Sequence, residues 1–421
     1  MKLRNKVFSC LLGGIAALTC MSLPTLQETV PQQLSASLAA PSLPVSAPAA
    51  EEELPAAPTH RIDGNQDALN EQLDTIFQQY GVKGCSVAAF EGEEIVYTHS
   101  YGIARGNQPA DENTKYRIAS ISKAVTAALA MHLVDQGKLS LEDELASIHP
   151  ALQNPAYPDD PATLQMLLTH TSGIIDGAGY NRAISRGIFP SLDVVMQSNN
   201  FSGSRPGERY SYSNFGLGLV CAAIEQATGV PFRDYAKSEL FDPLGLDAGF
   251  MTNDIDDPQT IAALGSVDPL SWGDMEKAYS QIPLGQMYLL GQGELYISAV
   301  DLAKIGMILA GDGSFLDSDS QRVQFLSQQA LEQMHTPLVY DPQTNTTRGL
   351  AVQMTEDILD GTTLWGHQGN AYGVVSCLFY DRDTRKGGVV FLNNRASQMR
   401  TESKVYAVND AVVKAIWQYL G

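Results

Sequence analysis

Arg117-Ile118-Ala119-Ser120-Ile121-Ser122-Lys123 opens a long apolar stretch, and the fold and the chemistry are both read outward from it. Residues three apart share one face of a helix, so the amine of Lys123 reaches the hydroxyl of Ser120, the arrangement a lysine needs to deprotonate a serine nucleophile. A helix starting at Ser120 also aims unpaired backbone N–H groups at a developing oxyanion. The same spacing occurs on solvated helices, so the neighbours decide. Ala124, Val125, Ala127, Ala128, Leu129, Met131, Leu133 and Val134 follow, and Gly137 supplies a left-handed stop. Such a helix is apolar almost all round and is expected to be buried. A lysine at its head is costly to desolvate, and burial is expected to push it toward its neutral, basic form.

The chain has 421 residues, with 47 acidic against 27 basic side chains and a net charge of -20. That length calls for two domains or one large composite one. The acidic balance argues against nucleic acid or an anionic membrane as a partner, and solubility explains it first.

Met1-Lys2-Leu3-Arg4-Asn5-Lys6 followed by the apolar Val7 to Met21 reads as a signal peptide over residues 1–22, with cleavage after Ser22. Two alternatives stay open, an uncleaved anchor and a lipidated Cys20, although the stretch is short for a span and Thr19 fits lipid processing poorly. A membrane partner is thus expected only through the N-terminus, and the protein is expected to be secreted or in the cell envelope. Residues 23–57, rich in Ala, Pro, Ser, Gln and Glu without period, read as a disordered tether. Residues 58–421 are left for the folded domain. Its cysteines are Cys85, Cys221 and Cys377; Cys85 and Cys377 lie in strand-like runs, which leaves a cross-sheet pair open, but buried free thiols are the simpler reading. No metal-ligand spacing is found among Cys and His, and no cofactor is expected.

Gly84 to Phe90 and Ile95 to Tyr101, separated by Glu91-Gly92-Glu93, predict a hairpin. Thr362 to Trp365, Tyr372 to Tyr380 and Gly388 to Leu392 predict three more strands. Val405, Val408, Val412, Ala415 and Tyr419 predict a terminal helix. Between the ends the pattern is helical: Thr163 as cap of a helix from Leu164 to His170, Asn214 to Gly229, and Ser298 with Asp301 as a capping box before Leu302 to Leu309. The expected fold is α+β, an antiparallel sheet built from both chain ends with flanking helices and an inserted all-helical lobe over about residues 139–297.

Two further stretches carry candidate chemistry. Pro206-Gly-Glu-Arg-Tyr-Ser-Tyr212-Ser-Asn214 runs from a loop into a helix, offering a phenolic proton shuttle and an amide donor; taken alone, a buried turn tyrosine reads equally well. Trp365-Gly-His367-Gln-Gly369-Asn370 lies on a predicted strand, where Gly369 permits close approach of a ligand or marks a bulge.

Together the three segments resemble the penicillin-recognising serine hydrolases: class C β-lactamases, D-alanyl-D-alanine carboxypeptidases and related esterases of the β-lactamase-like fold. Leu167-Leu-Thr-His-Thr-Ser-Gly173 and Gly293-Glu-Leu-Tyr-Ile-Ser298 before Asp301-Leu-Ala303 add to the resemblance, which runs from about Asn65 to Leu420. It implies Ser120 as the acylated nucleophile, Lys123 as its partner base and Tyr212 as the proton shuttle. It further implies Asn214 as the amide orienting the acyl side chain, His367 in the place of a common lysine, and Gly369 where the strand admits substrate. Backbone N–H groups of Ser120 and Asn370 are the implied oxyanion hole.

The third motif departs from Lys-Thr-Gly: His367 has a pH-dependent charge, expected either to bond Tyr212 or to attract an anion, and Gln368 removes a hydroxyl that helps bind a carboxylate. An efficient β-lactamase is thereby disfavoured. The expected substrate is a small molecule or a peptidoglycan stem peptide, cleaved by a carboxypeptidase-like or β-lactamase-related amide hydrolase. An esterase, or a penicillin-binding sensor that turns over poorly, is the alternative. His170 is read as holding a loop, and Trp272 and Tyr288 as either cleft or core.

Overall fold

The computed structural model describes residues 66–421 except 266, 343, 394–399 and 402–403, so the expected leader, the tether and the domain start at residue 58 lie outside the described residues. The predicted hairpin forms as β1 (Gly84–Glu91) and β2 (Glu94–Arg105), continued by β3 (Gln108–Pro109). The three C-terminal strands form as β11 (Leu364–Ala371), β12 (Val374–Asp381) and β13 (Lys386–Asn393). They join in one antiparallel sheet of order β3-β2-β1-β13-β12-β11-β10-β9-β8, with Gly84 opposite Asn393 and Val87 opposite Val390 where the two chain ends meet. The outer strands β8 (Val339–Asp341), β9 (Thr346–Arg348) and β10 (Gln353–Thr355) escape the sequence reading because each is shorter than the run that reveals a strand.

Alternation sends side chains to opposite faces, and both faces are covered. Ala88, Leu378, Val389 and Phe391 join the large core, and Val87, Cys377, Phe379 and Val390 the smaller one. Helices α1 (Gln66–Gln79), whose Leu69, Leu73 and Phe77 are buried, and the terminal helix (Ala407–Leu420) build the smaller core. The large core holds α2 (Ser122–Asp135), α3 (Leu164–Leu168), α4 (Ala178–Arg186), α5 (Asn214–Thr228) and α6 (Ala299–Ala310).

The inserted lobe is helical as expected but not wholly so. Its last residues form β5 (Tyr296–Ile297), which pairs with β4 (Tyr116–Arg117) just before the candidate nucleophile. Another short hairpin, β6 (Ser314–Leu316) with β7 (Arg322–Gln324), follows α6. The caps differ in detail. Gly229 closes α5 in the left-handed conformation and Ser298 caps α6 through the Asp301 N–H, whereas Thr163 stands at the start of α3 without a side-chain bond. Asp301 instead faces Lys115 and Lys304, so only half of the expected capping box forms. Cys85, Cys221 and Cys377 are free and buried. Strand β13 lies between Cys85 and Cys377, which separates their backbones by roughly 10 Å, too far for a disulfide.

Candidate active site

The nucleophile turn is held where strand, lobe and helix meet. Ala119 adopts a left-handed φ of 52°, and residues Ala119–Ile121 form one tight turn before α2 begins at Ser122, two residues later than expected. A non-glycine residue there costs roughly 1–3 kcal/mol and persists only when its surroundings fix it. They do so on both sides. The Ile118 N–H donates to Leu295 O at 2.9 Å, the Ser122 hydroxyl to Ala119 O at 2.7 Å, and the Ser376 hydroxyl on β12 to Ile118 O at 3.0 Å.

Gly369 contributes by having no side chain. A Cβ there would meet Ile118 O at 2.4 Å and Ser376 Oγ at 2.3 Å. The close approach seen at Gly369 is to the protein's own nucleophile turn. Gly369 seats β11 against that turn.

Lys123 is fully buried, and its Nζ lies 3.1 Å from Ser120 Oγ and 3.0 Å from Asn214 Oδ1, with a third bond to the Gln292 carbonyl. Three oxygens thus surround the Lys123 nitrogen. The Tyr212 hydroxyl lies 2.9 Å from Ser120 Oγ, with Lys123 Nζ 5.1 Å and the Arg348 guanidinium 5.9 Å from its ring centre. Four residues from two distant stretches, Ser120 with Lys123 and Tyr212 with Asn214, therefore converge. Asn370 lines the same cleft as Ser120, and its carboxamide donates to the Tyr406 hydroxyl at 2.6 Å.

His367 is buried nearby, but neither expected role fits its surroundings. Its Nδ1 bonds the Gln368 carbonyl at 2.6 Å, and its Nε2 has no hydrogen-bond partner, so no bond to Tyr212 forms. Burial, with Arg348 and Lys123 close by, holds its pKa well below the usual histidine range. A neutral imidazole does not attract an anion. Gln368 turns away from the role of a missing threonine and accepts the Tyr406 N–H at 2.9 Å.

Three supports were not singled out as functional from sequence. Asp176 accepts the Phe215 N–H at 2.8 Å, the Ser213 hydroxyl at 2.9 Å and the Asn214 amide at 2.9 Å, which fixes Asn214 with its oxygen toward Lys123. Burial raises its pKa despite these bonds. The second support is Gln292, whose carbonyl holds Lys123 and whose side chain accepts the Tyr180 hydroxyl.

His170 is the third. Its carbonyl accepts the Ser211 N–H at 2.8 Å, its Nδ1 accepts the Ser213 N–H at 3.2 Å, and its ring centre lies 4.4 Å from that of Tyr212. Both neighbours of Tyr212 are thus tied to one histidine. Burial, then Arg348, Lys123 and His367, push its pKa well down, which keeps Nδ1 free to accept. The loop expected of His170 is the tyrosine's own.

Ser120 opens onto a small cleft of about 60 Å³ that is continuous with solvent. Among the described residues no cluster of His, Cys, Asp or Glu is arranged to hold a metal ion.

The sequence model of the family described as Beta-lactamase matches residues 62–412. The chain is 34% identical over 185 residues to "Penicillin-binding protein 4*" of Bacillus subtilis, covering 42% of this chain and 40% of that one. It is 30% identical over 188 residues to "D-alanyl-D-alanine-carboxypeptidase/endopeptidase AmpH" of Escherichia coli, covering 43% and 48%. The chain thus spans less than half the length of these two relatives. Among solved structures, the octameric penicillin-binding protein homologue from Pyrococcus abyssi superposes with a TM-score of 0.65 at 23% identity, covering 84% of this chain and 77% of that one, which establishes likeness of fold.

Proposed function

The chain belongs to the Beta-lactamase family, and on that premise we propose that it is an extracytoplasmic serine hydrolase that works through an acyl-enzyme. The observation that carries this reading is a single oxygen, Ser120 Oγ, lying 3.1 Å from Lys123 Nζ and 2.9 Å from the Tyr212 hydroxyl. Ser120 gives its proton to Lys123 as the neutral amine or to Tyr212 as the phenolate, and attacks the substrate carbonyl. The oxygen of the tetrahedral intermediate is received by the backbone N–H groups of Ser120 and Asn370. Tyr212 passes the proton to the leaving group, and water, deprotonated by the same pair, releases the acid. Asp176, Gln292 and His170 hold Asn214, Lys123 and Tyr212 in place. No metal or cofactor enters these steps.

The substrate class is an amide of the D-alanyl-D-alanine stem-peptide or β-lactam kind. The similarity to a penicillin-binding protein and a carboxypeptidase supports it. A second reading, an esterase, is favoured by His367, neutral and buried where a cation would engage a substrate carboxylate.

One panel separates the readings: a fluorescent penicillin, a chromogenic cephalosporin, a D-Ala-D-Ala peptide and a short-chain ester, each with wild type and Ser120→Ala. A carboxypeptidase releases D-alanine, an esterase cleaves the ester and resists labelling, and a sensor labels stoichiometrically without turnover. Activity surviving in Ser120→Ala would refute the assignment of the nucleophile.

A further inference from the structure

A second recess, of about 620 Å³ against about 60 Å³ beside Ser120, lies at the far end of the sheet. Its volume is that of a small-molecule site. Ser86 on β1 bonds the Tyr116 hydroxyl at 3.2 Å close to the nucleophile turn, whereas the recess begins at the β1–β2 turn, where Glu91 pairs with Glu94. The strand between Ser86 and Glu91 separates the two by roughly 17 Å. The recess and the catalytic cleft share no lining residue.

Its walls come from separate elements. Lys304, Met307 and Ile308 share one face of α6 through their three- and four-residue spacing. Ile95 of β2 and Leu244 stand beside them, and Phe315 and Leu316 come from β6. The β6–β7 hairpin is tied down: Arg322 on β7 donates to both Glu93 oxygens, at 2.9 and 2.8 Å, and to the Ser314 hydroxyl at 2.7 Å. The recess is therefore in place before anything enters it, which lowers the cost of binding. Leu316 leaves 51% of its surface open to water.

Charge decides what fits. Two acids and one base line the recess, Glu93, Glu94 and Lys304. Glu93 is engaged by Arg322, and Lys304 by Asp301 at 3.2 Å, while the exposed Glu94 has no ion-pair partner among the described residues. The uncompensated charge is negative, on a chain whose net charge is -20. An anionic head is repelled there, whereas an ammonium is drawn to Glu94. A slender apolar body meets Ile95, Ile308 and Phe315, and the unbranched Met307 adjusts to its shape.

We propose that this recess is a second binding site, for an amphiphile with a slender apolar body and a single cationic amine head, the head lying beside Glu94. The site stands apart from the hydrolase chemistry and does not depend on it. The test titrates the full chain with decylammonium, decanol and decanoate below their micellar concentrations. Calorimetry gives the affinities, and the methyl NMR signals of Ile95, Met307 and Ile308, against those of Ile118 and Ile121 beside Ser120, give the place. Decylammonium should bind about threefold more tightly than decanol, the worth of one surface ion pair, and more tightly still than decanoate. Its titration should move the first three signals and leave the other two. Glu94→Gln, an exposed and gentle change, should erase the advantage over decanol and leave decanol itself unaffected. Met307→Trp, filling the recess from a half-buried wall, should weaken all three probes at least fivefold. No saturable binding of decylammonium, tightest binding of decanoate, or shifts confined to Ile118 and Ile121 would overturn the proposal.

Discussion

Replacing Asp176 by alanine should unseat the site without touching substrate. The carboxylate takes three hydrogen bonds, from the Phe215 N–H, the Ser213 hydroxyl and the Asn214 amide. Each donor left buried without an acceptor costs about 1–3 kcal/mol. Partial relaxation and the relief of desolvating the acid reduce the sum, so a net loss of about 3 kcal/mol is expected, in line with removing one member of a buried charged network. Asn214 would then be free to turn its amide end toward Lys123, replacing an acceptor at 3.0 Å by a donor. A loss of about 2 kcal/mol in the acylation transition state, a roughly thirtyfold slower step, follows. Asp176→Asn keeps one acceptor and should fall between. Urea midpoints give the stability, and stopped-flow acylation by an activated ester gives the rate. The reasoning is refuted if Asp176→Ala keeps its urea midpoint and acylates within twofold of wild type.

Tyr212→Phe should preserve folding and slow acylation by about 100-fold or more, the usual worth of a general acid–base group, as seen in single-turnover kinetics. Gly369→Ala drives a Cβ to within 2.4 Å of Ile118 O; the nucleophile turn must move, so acylation should be lost while the far-UV circular dichroism spectrum stays that of wild type. His335 is buried, bonds Leu331 O at 2.7 Å and the Tyr380 hydroxyl at 2.8 Å, and has its pKa held down to about 3 by burial and then by Arg382. The unfolded chain takes up a proton below about pH 6.5 that the folded chain refuses, so stability falls with pH by about 1.4 kcal/mol per unit from 6.5 toward 3. His335→Gln should remove that part of the slope between pH 6.5 and 4, measured by urea titrations of both proteins.

Local signals were readable. Ser120 and Lys123 declare themselves because three residues span one helical turn, and the paired chain ends because their strands are long, apolar and interrupted by turn residues. Helix α1 carries the same kind of signal in the four-residue spacing of Leu69, Leu73 and Phe77. What sequence hides is burial and distance in space. Asp176 sits in an unmarked Ile-Ile-Asp-Gly stretch, and only the fold brings it to the start of α5. The charge of His367 depends on desolvation and on Arg348, a residue in a three-residue strand that gives no pattern. Gly369 reads from sequence as a place for a ligand to approach or as a bulge, while its contact with the nucleophile turn belongs to tertiary structure.

The seam between the two chain ends has a consequence for how the protein comes into being. Gly84 meets Asn393 across the middle of the sheet, and the strands that brace the nucleophile turn, β11 and β12, are made near the end of synthesis. High contact order of this kind makes folding slow, because a long loop must close before its contacts repay it. A nascent chain already holding Ser120 and Lys123 has no sheet centre on which to seat them. Catalytic competence therefore arrives late and all at once, and a circular permutant joining the sheet-forming ends into one continuous stretch should fold faster than the natural order.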